Sequence, residues 1–279
     1  MLNSNLRIAI AIIVKDEVEY LKDWLDYHFN IGFNKIFLGV NDNEGPEKYP
    51  YLSEYGRKIK VFDLSNQEGV QKEFYNSIIN NEKYDWCAFI DTDEYITFKE
   101  GTGYKTIEDF LSDKKRIRTA KAYKMNWEIY GDDGHIFYED KPVTERFIKP
   151  LPLLPVTYKF PEQYHTKSFL SKNEKHHFTT NPHTVAGGNY FLPDGTKSTD
   201  SPFNNLIDKS DIYIRHYYTK TIEEWYNHKL GRNYADYKRV SWISYYPIEK
   251  FFQYNQCTEE KINFLKNHGI EYTIKSEIK

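Results

Sequence analysis

The first strongly patterned stretch of the chain is apolar without interruption. Ile8 to Val14 is a run of Ile, Ala and Val, and a run with no polar alternation predicts a strand covered on both faces. Lys15-Asp16-Glu17 ends it. Tyr20, Leu21, Trp24, Leu25, His28 and Phe29 then recur at spacings of one, three and four, which predicts an amphipathic helix stopped by Gly32. Ile36 to Val40 predicts a second strand, followed by a loop through Asn41-Asp42-Asn43-Glu44-Gly45-Pro46. Ile59 to Phe62 predicts a third strand. Val70, Phe74, Tyr75, Ile78 and Ile79 predict a second helix, and residues 86–90 a fourth strand.

Strands alternating with helices imply an α/β fold with a mostly parallel sheet flanked by helices and joined by right-handed crossovers. The alternation weakens after residue 100. Thr106 and Asp109 predict the start of a short helix to Leu111. Residues 119–127 and 212–218 read as strands, and residues 128–146 as loop-rich. Residues 150–205, rich in Pro, Asn, Gly and His, read as irregular with short strands. Thr221 and Glu224 stand at capping-box spacing before another helix. The tail through residue 275 reads as helical.

Composition narrows the function. The 279 residues carry a net charge of −3 with a pI near 6.3, which gives no basic surface for nucleic acid. Two cysteines, Cys87 and Cys257, are too few for a disulfide framework or a cysteine-rich zinc site. The apolar run at 6–14 is too short to span a bilayer and lacks the flanks of a signal peptide. A soluble or peripheral protein of a reducing compartment is expected. Aromatic content of 17%, with 25 Tyr, suits stacking on sugars or bases as well as ordinary packing.

In parallel sheets ligands bind outside the carboxyl ends of the strands. Polar residues follow three of the predicted strands there: Lys15-Asp16-Glu17, Asn41-Asp42-Asn43 and Asp91-Thr92-Asp93-Glu94. Asp91 and Asp93, one residue apart after an apolar run, can together reach a hard cation such as Mg²⁺ or Mn²⁺. The alternative is a solvated acidic loop.

Several blocks in order resemble GT-A-type glycosyltransferases of the family 92 and family 2-like kind. They begin with Val14-Lys15-Asp16-Glu17, Tyr20-Leu21-Lys22-Asp23-Trp24-Leu25 and Tyr27-His28. They continue through Asp42-Asn43, Gln71, Tyr75-Asn76 and Trp86 to Ile96. Trp127, Gly134-His135 and Glu145-Arg146-Phe147 follow, and the series ends with His216-Tyr217, Lys220, Glu223-Glu224-Trp225 and Lys229. The resemblance implies a Rossmann-like GT-A domain over 1–240, with a donor half to about residue 100, an acceptor half beyond it, and a helical extension over 241–279. It implies inverting transfer of a sugar from a nucleotide sugar, with a UDP-sugar, galactose included, as the leading donor and a glycan hydroxyl as acceptor. Surface polysaccharide or lipopolysaccharide synthesis at the cytoplasmic face of a membrane is the setting it suggests.

Carried over, Val14, Lys15, Glu17, Asn41 and Asp42 would contact the nucleoside, with Gln71 and Arg232 also on the donor side. Asp91 and Asp93 would hold the ribose and the metal. His216 would be a third metal ligand, with His183 as its competitor and a packed histidine as the plain alternative. Lys220 would meet the leaving phosphate. Inversion needs a base at the acceptor hydroxyl, for which Glu145, Asp132, Asp133 and His135 are candidates, Glu145 first. Glu145 could instead pair with Arg146, and Asp132-Asp133-Gly134 is also a good turn. Trp127 and Tyr130 could stack on the acceptor or pack in the core. Asp16 stands where the family usually has Asn, and Glu139 to Thr144 depart from its pattern, which concerns the acceptor more than the reaction. Two rival readings are a nucleotide-sugar-binding protein without transfer and a metal-dependent phosphotransfer enzyme.

Overall fold

The computed structural model describes residues 6–113, 120–152, 161–172, 175–204, 211–230 and 248–272. The apolar run at the start becomes β1 (Ile8–Val14), every residue of it buried. Helix α1 (Val18–Asn30) follows, and it buries Tyr20, Leu21, Trp24, Leu25 and His28, the face the spacing predicted. Gly32, at φ 101, ends it in a conformation that favours glycine. Next come β2 (Lys35–Val40), β3 (Ile59–Asp63), α2 (Gln71–Asn81), β4 (Trp86–Phe89) and β5 (Glu94–Phe98). Helix α3 (Ile107–Ser112) carries the expected cap, Thr106 and Asp109 bonding reciprocally in a capping box.

The remaining strands are β6 (Ala122–Ile129), β7 (Thr166–Ser171), the short β8 (His177–Phe178), β9 (Val185–Ala186) and β10 (Tyr190–Phe191), and β11 (Ile212–His216). Between β6 and β7 lies the single-turn α4 (Val143–Arg146). After β11 come α5 (Ile222–Glu224), capped by Thr221 and Glu224 and continuing as a π-helix over Trp225–Leu230, then α6 (Ile248–Tyr254) and α7 (Glu259–Asn267).

The main sheet has the order β3-β2-β1-β4-β7-β6-β11-β5. Its first four strands are parallel, with Val14 opposite Val40 and Val40 opposite Asp63. The fold is therefore the α/β, Rossmann-like class expected of a GT-A domain. Beyond β4 the pairing turns antiparallel, β4 to β7, β7 to β6 and β11 to β5. Helix α2 covers the parallel half through Phe74, Tyr75, Ile78 and Ile79, which join Phe37, Cys87 and Phe89 in one core. Each such aromatic removes about 150–250 Å² from water, contributing on the order of 4–6 kcal/mol.

The chain divides into two compact units, Met1–Glu128 with Leu153–His216 and Tyr234–Lys238, and Ile129–Pro152 with Tyr217–Asn233 and Arg239–Lys279. The first holds the sheet. In the second, Trp225 packs on Phe251 at 5.7 Å between ring centres and Tyr130 on Tyr217 at 5.0 Å. Lys261 pairs with Asp132 there, and Asn255 accepts a bond from the Asp132 N–H at 2.7 Å. Among the described residues no helix is long and apolar enough to cross a membrane.

Candidate active site

The acidic motif is a reverse turn. Asp91-Thr92-Asp93-Glu94 links β4 to β5, and the Glu94 N–H donates to the Asp91 carbonyl at 3.1 Å. The Glu94 carboxylate closes the turn from the other side, accepting the Asp91 N–H at 3.0 Å. Because the chain turns here, the two aspartates meet different partners. Asp91 accepts a bond from Gln71 Nε2 at 3.0 Å and one from Lys167 Nζ at 2.5 Å. Asp93 faces His216, with Oδ1 and Nε2 3.4 Å apart.

His216 arrives by sheet register, since β11 runs antiparallel to β5 and sets His216 opposite Glu94. Donor atoms of Asp93, Glu94 and His216 lie within 4.8 Å of one another, a metal-capable set among the described residues. Asp91, a metal candidate from the sequence, is not in that set, and neither is His183. His183 packs in a group around Trp127, whose ring lies 4.8 Å from His165, 4.2 Å from His216 and 5.8 Å from His183. Burial, with Lys167 nearby, pushes the His183 imidazole well down, so it stays neutral.

The sequence reading did not single out Lys167. Its side chain is wholly buried on β7, 2.5 Å from Asp91 and 3.5 Å from Glu94. Burial opposes its charge, but Asp91 and Glu94 more than compensate and raise its pKa, so it remains an ammonium. Glu94 is also fully buried. Burial, then the charges of Asp91 and Asp93, drive its pKa well up against the pull of Lys167. Its Oε1 accepts no hydrogen bond. Two carboxylates and an imidazole form a mixed oxygen and nitrogen donor set that could hold a divalent cation.

Helix α1 positions this turn. Trp24 Nε1 donates to the Glu94 carbonyl at 2.8 Å and the Tyr27 hydroxyl to the Ile96 carbonyl at 2.9 Å. His28 Nδ1 donates to the Trp24 carbonyl at 2.8 Å, so its Nε2 accepts from the Ile96 N–H at 3.4 Å. Only the neutral tautomer makes both bonds, and burial lowers the His28 pKa to about 3.

A second group sits at the ends of β1 and β2. Asp16 has φ 54, a conformation that Asp and Asn tolerate best. Its N–H donates to Asp42 Oδ1 at 2.8 Å, and Lys48 pairs with both Asp16 and Asp42. Burial weighs against the Lys48 charge, but those two carboxylates raise its pKa to about 12. Tyr49 bonds Asp42 at 2.8 Å and accepts the Glu17 N–H at 3.1 Å. Asn41 Nδ2 donates to the carbonyls of Leu64 and Gln67 at 2.7 and 3.0 Å. Asn41 and Asp42 thus tie three strand-end loops together. Val14 is buried in the sheet, and Lys15 is half-buried beside it.

The candidate bases Asp132, Asp133, His135 and Glu145 lie in the second unit, as does Tyr130, whereas Trp127 belongs to the first. Asp133 accepts the N–H groups of Ile148 and Lys149 at 2.7 and 3.1 Å. His135 faces Glu139 at 3.5 Å. Glu145 is exposed on α4, and Arg146 makes a bidentate bond to Glu224, both contacts 2.9 Å. Lys220 is buried with φ 52. Arg232 lies outside the described residues.

No protein-family model matches the sequence, and no curated protein does. Among solved structures, a mannosyltransferase from Pyrobaculum calidifontis in complex with GDP-Man and Mn²⁺ aligns at TM-score 0.32 and 11% identity. That alignment covers 44% of this chain and 36% of the other, so the matched part is about a third of that protein's length. S. aureus TarS 1-349 aligns at TM-score 0.40 and 12% identity over 95% of this chain and 79% of its own. Its complex with UDP-GlcNAc gives 0.42 and 11% over 94% and 79%.

Proposed function

We propose that this protein is a glycosyltransferase that moves a sugar from a nucleotide-sugar donor to a glycan hydroxyl, using a divalent cation at Asp93, Glu94 and His216. One observation carries the reading. The acidic turn and the His216 block, far apart in the chain, meet with His216 in register with Glu94 and 3.4 Å from Asp93. The cation, when bound, supplies positive charge to the diphosphate that leaves as the anomeric bond breaks. The chain's own residues do the holding. Gln71 and Lys167 fix the Asp91 carboxylate, whose side chain is still 36% exposed. A carboxylate has about four lone-pair sites, so Asp91 keeps acceptor capacity for a donor hydroxyl.

The finer reading has a UDP-sugar donor, galactose being the first to test, transferred with inversion during synthesis of a surface glycan. In it the Asp16–Glu17 and Asn41–Asp42 loops hold the nucleoside and Lys220 meets the leaving phosphate. Glu145 is the base in this reading, because Asp133 is committed to two backbone N–H groups and His135 faces Glu139.

The test is a donor-hydrolysis and binding screen over nucleotide sugars with Mn²⁺, with Mg²⁺ and with chelator. Metal-dependent turnover of at least one donor is expected, lost in Asp93→Asn and in His216→Ala. Folded protein that neither binds nor turns over any donor would falsify the transferase reading. Donor binding without hydrolysis or transfer would favour the binding-protein alternative.

A further inference from the structure

A second cluster of charge lies at the opposite end of the same sheet. Strand β10 runs parallel to β6, with Tyr190 opposite Ala122. Ala122 stands opposite Leu170 on β7, and Leu170 opposite Cys87 on β4. This end is therefore level with the start of β4, whereas Asp91 follows its finish. Four residues of strand separate the two levels, on the order of 13 Å.

A depression of about 720 Å³ opens here, lined by Lys121, Lys175, Lys197, Asn189, Ser198 and Asp200 among others. Lys121 and Lys197 bring two lysines to a lining that holds one carboxylate, Asp200, with Lys175 bordering it. A further cation lies close by. Lys124 is wholly buried on β6, its Nζ 5.3 Å from the ring of Tyr190, which also lines the depression, and 3.4 Å from the His183 carbonyl. Burial pushes its ammonium down to about 8, and Asp200 at the depression is the carboxylate that opposes the fall.

The wall is built rather than incidental. A side chain at Gly187 would stand 1.7 Å from the Lys175 carbonyl oxygen, and one at Gly188 would stand 2.4 Å from the His176 ring. His176 is itself buried and lies 3.2 Å from the Lys121 carbonyl through Nε2. The two glycines bring backbone to the cavity edge where a Cβ would not fit, and the lysines sit on that frame.

An excess of positive charge beside hydroxyl and amide donors suits a compact dianion with several acceptor oxygens. Lysine meets such a group as a point charge. A monocarboxylate would answer half of it. We propose that this depression binds a phosphate group, free or carried by a sugar, on Lys121 and Lys197, with Ser198 and Thr199 as hydroxyl donors. Its position, a sheet length from Asp93 and His216, makes it a site separate from the proposed donor site. It stands whether or not the transferase reading does.

Calorimetric titration of the full chain, free of divalent cation, with inorganic phosphate and separately with glucose 6-phosphate tests this. The tighter titrant identifies the source. The exposed pair Lys121→Ala/Lys197→Ala is expected to weaken binding about tenfold or more. Asp200→Asn, which removes the opposing charge, is expected to tighten it severalfold, and Asp93→Asn to leave it unchanged. Thermal melts check that each variant is folded, and the single Asp200 change keeps the test open if the double variant is not. Absence of binding by either compound at millimolar concentration, or affinities that ignore both charge changes, would overturn the proposal.

Discussion

Lys167 shows how much of a site can rest on a residue that sequence pattern conceals. It is an ammonium with no access to water, facing Asp91 and Glu94. Removing one partner of a buried ion pair leaves the other uncompensated, which costs about 3–5 kcal/mol. Lys167→Met is therefore expected to lower unfolding free energy in urea by about that much, with part restored when Glu94→Gln is added. Full stability in the single variant would show that the turn does not need its cation. Asp91 and Asp93 were legible because three acids after an apolar run demand an explanation. Lys167 was not, since it is one of 38 Lys and Arg residues and lies in Thr166-Lys167-Ser168, which reads as surface. Glu94 was legible as a member of the cluster, but its pairing with His216 depends on a strand register that no local pattern encodes.

At the scale of elements, the periodic segments were the readable ones. Strand β1, helices α1 and α2, and both Thr-initiated capping boxes stand where apolar spacing and cap chemistry put them. Strands β5 and β7 did not declare themselves. The first begins with an acid, and the second buries Thr, Lys and Ser against neighbours supplied by distant segments. The joint between α1 and β5 makes a pH prediction. His28 titrates near 6.5 when unfolded but only at about 3 when folded, so the unfolded chain binds the extra proton between those values. Stability is then expected to fall as pH drops below about 6.5, by up to roughly 1.4 kcal/mol per pH unit. Urea midpoints at a series of pH values should show this slope in the native chain and lose it in His28→Gln. An unchanged slope would mean that His28 is not the group responsible.

For the whole molecule, the second unit carries its own acid-sensitive pair. Burial pushes the Glu224 carboxyl up, but the two Arg146 bonds and the nearby charge of Lys220 outweigh it and bring the group down to about 2. That contribution is present above the ordinary carboxylate range near 4.3 and is lost as pH falls through about 2, a total of about 3 kcal/mol. Two windows result, one opening near pH 6.5 in the first unit and one near pH 4.3 in the second. Hydrogen exchange over an acid series, with Glu224→Gln compared against His28→Gln, should assign each window to its unit. Loss of both slopes in either single variant would contradict the assignment. One feature reaches beyond energetics. Trp24, Tyr27 and His28 each bond a main-chain atom of β5, Tyr27 also reaching the Thr97 hydroxyl at 3.2 Å, and every amino acid except proline presents those main-chain atoms alike. Heredity can therefore rewrite most of the strand's side chains and leave those three main-chain bonds in place, while the helix must keep its spelling. The lasting signature of this turn is thus written in a helix some seventy residues away from the carboxylates it serves.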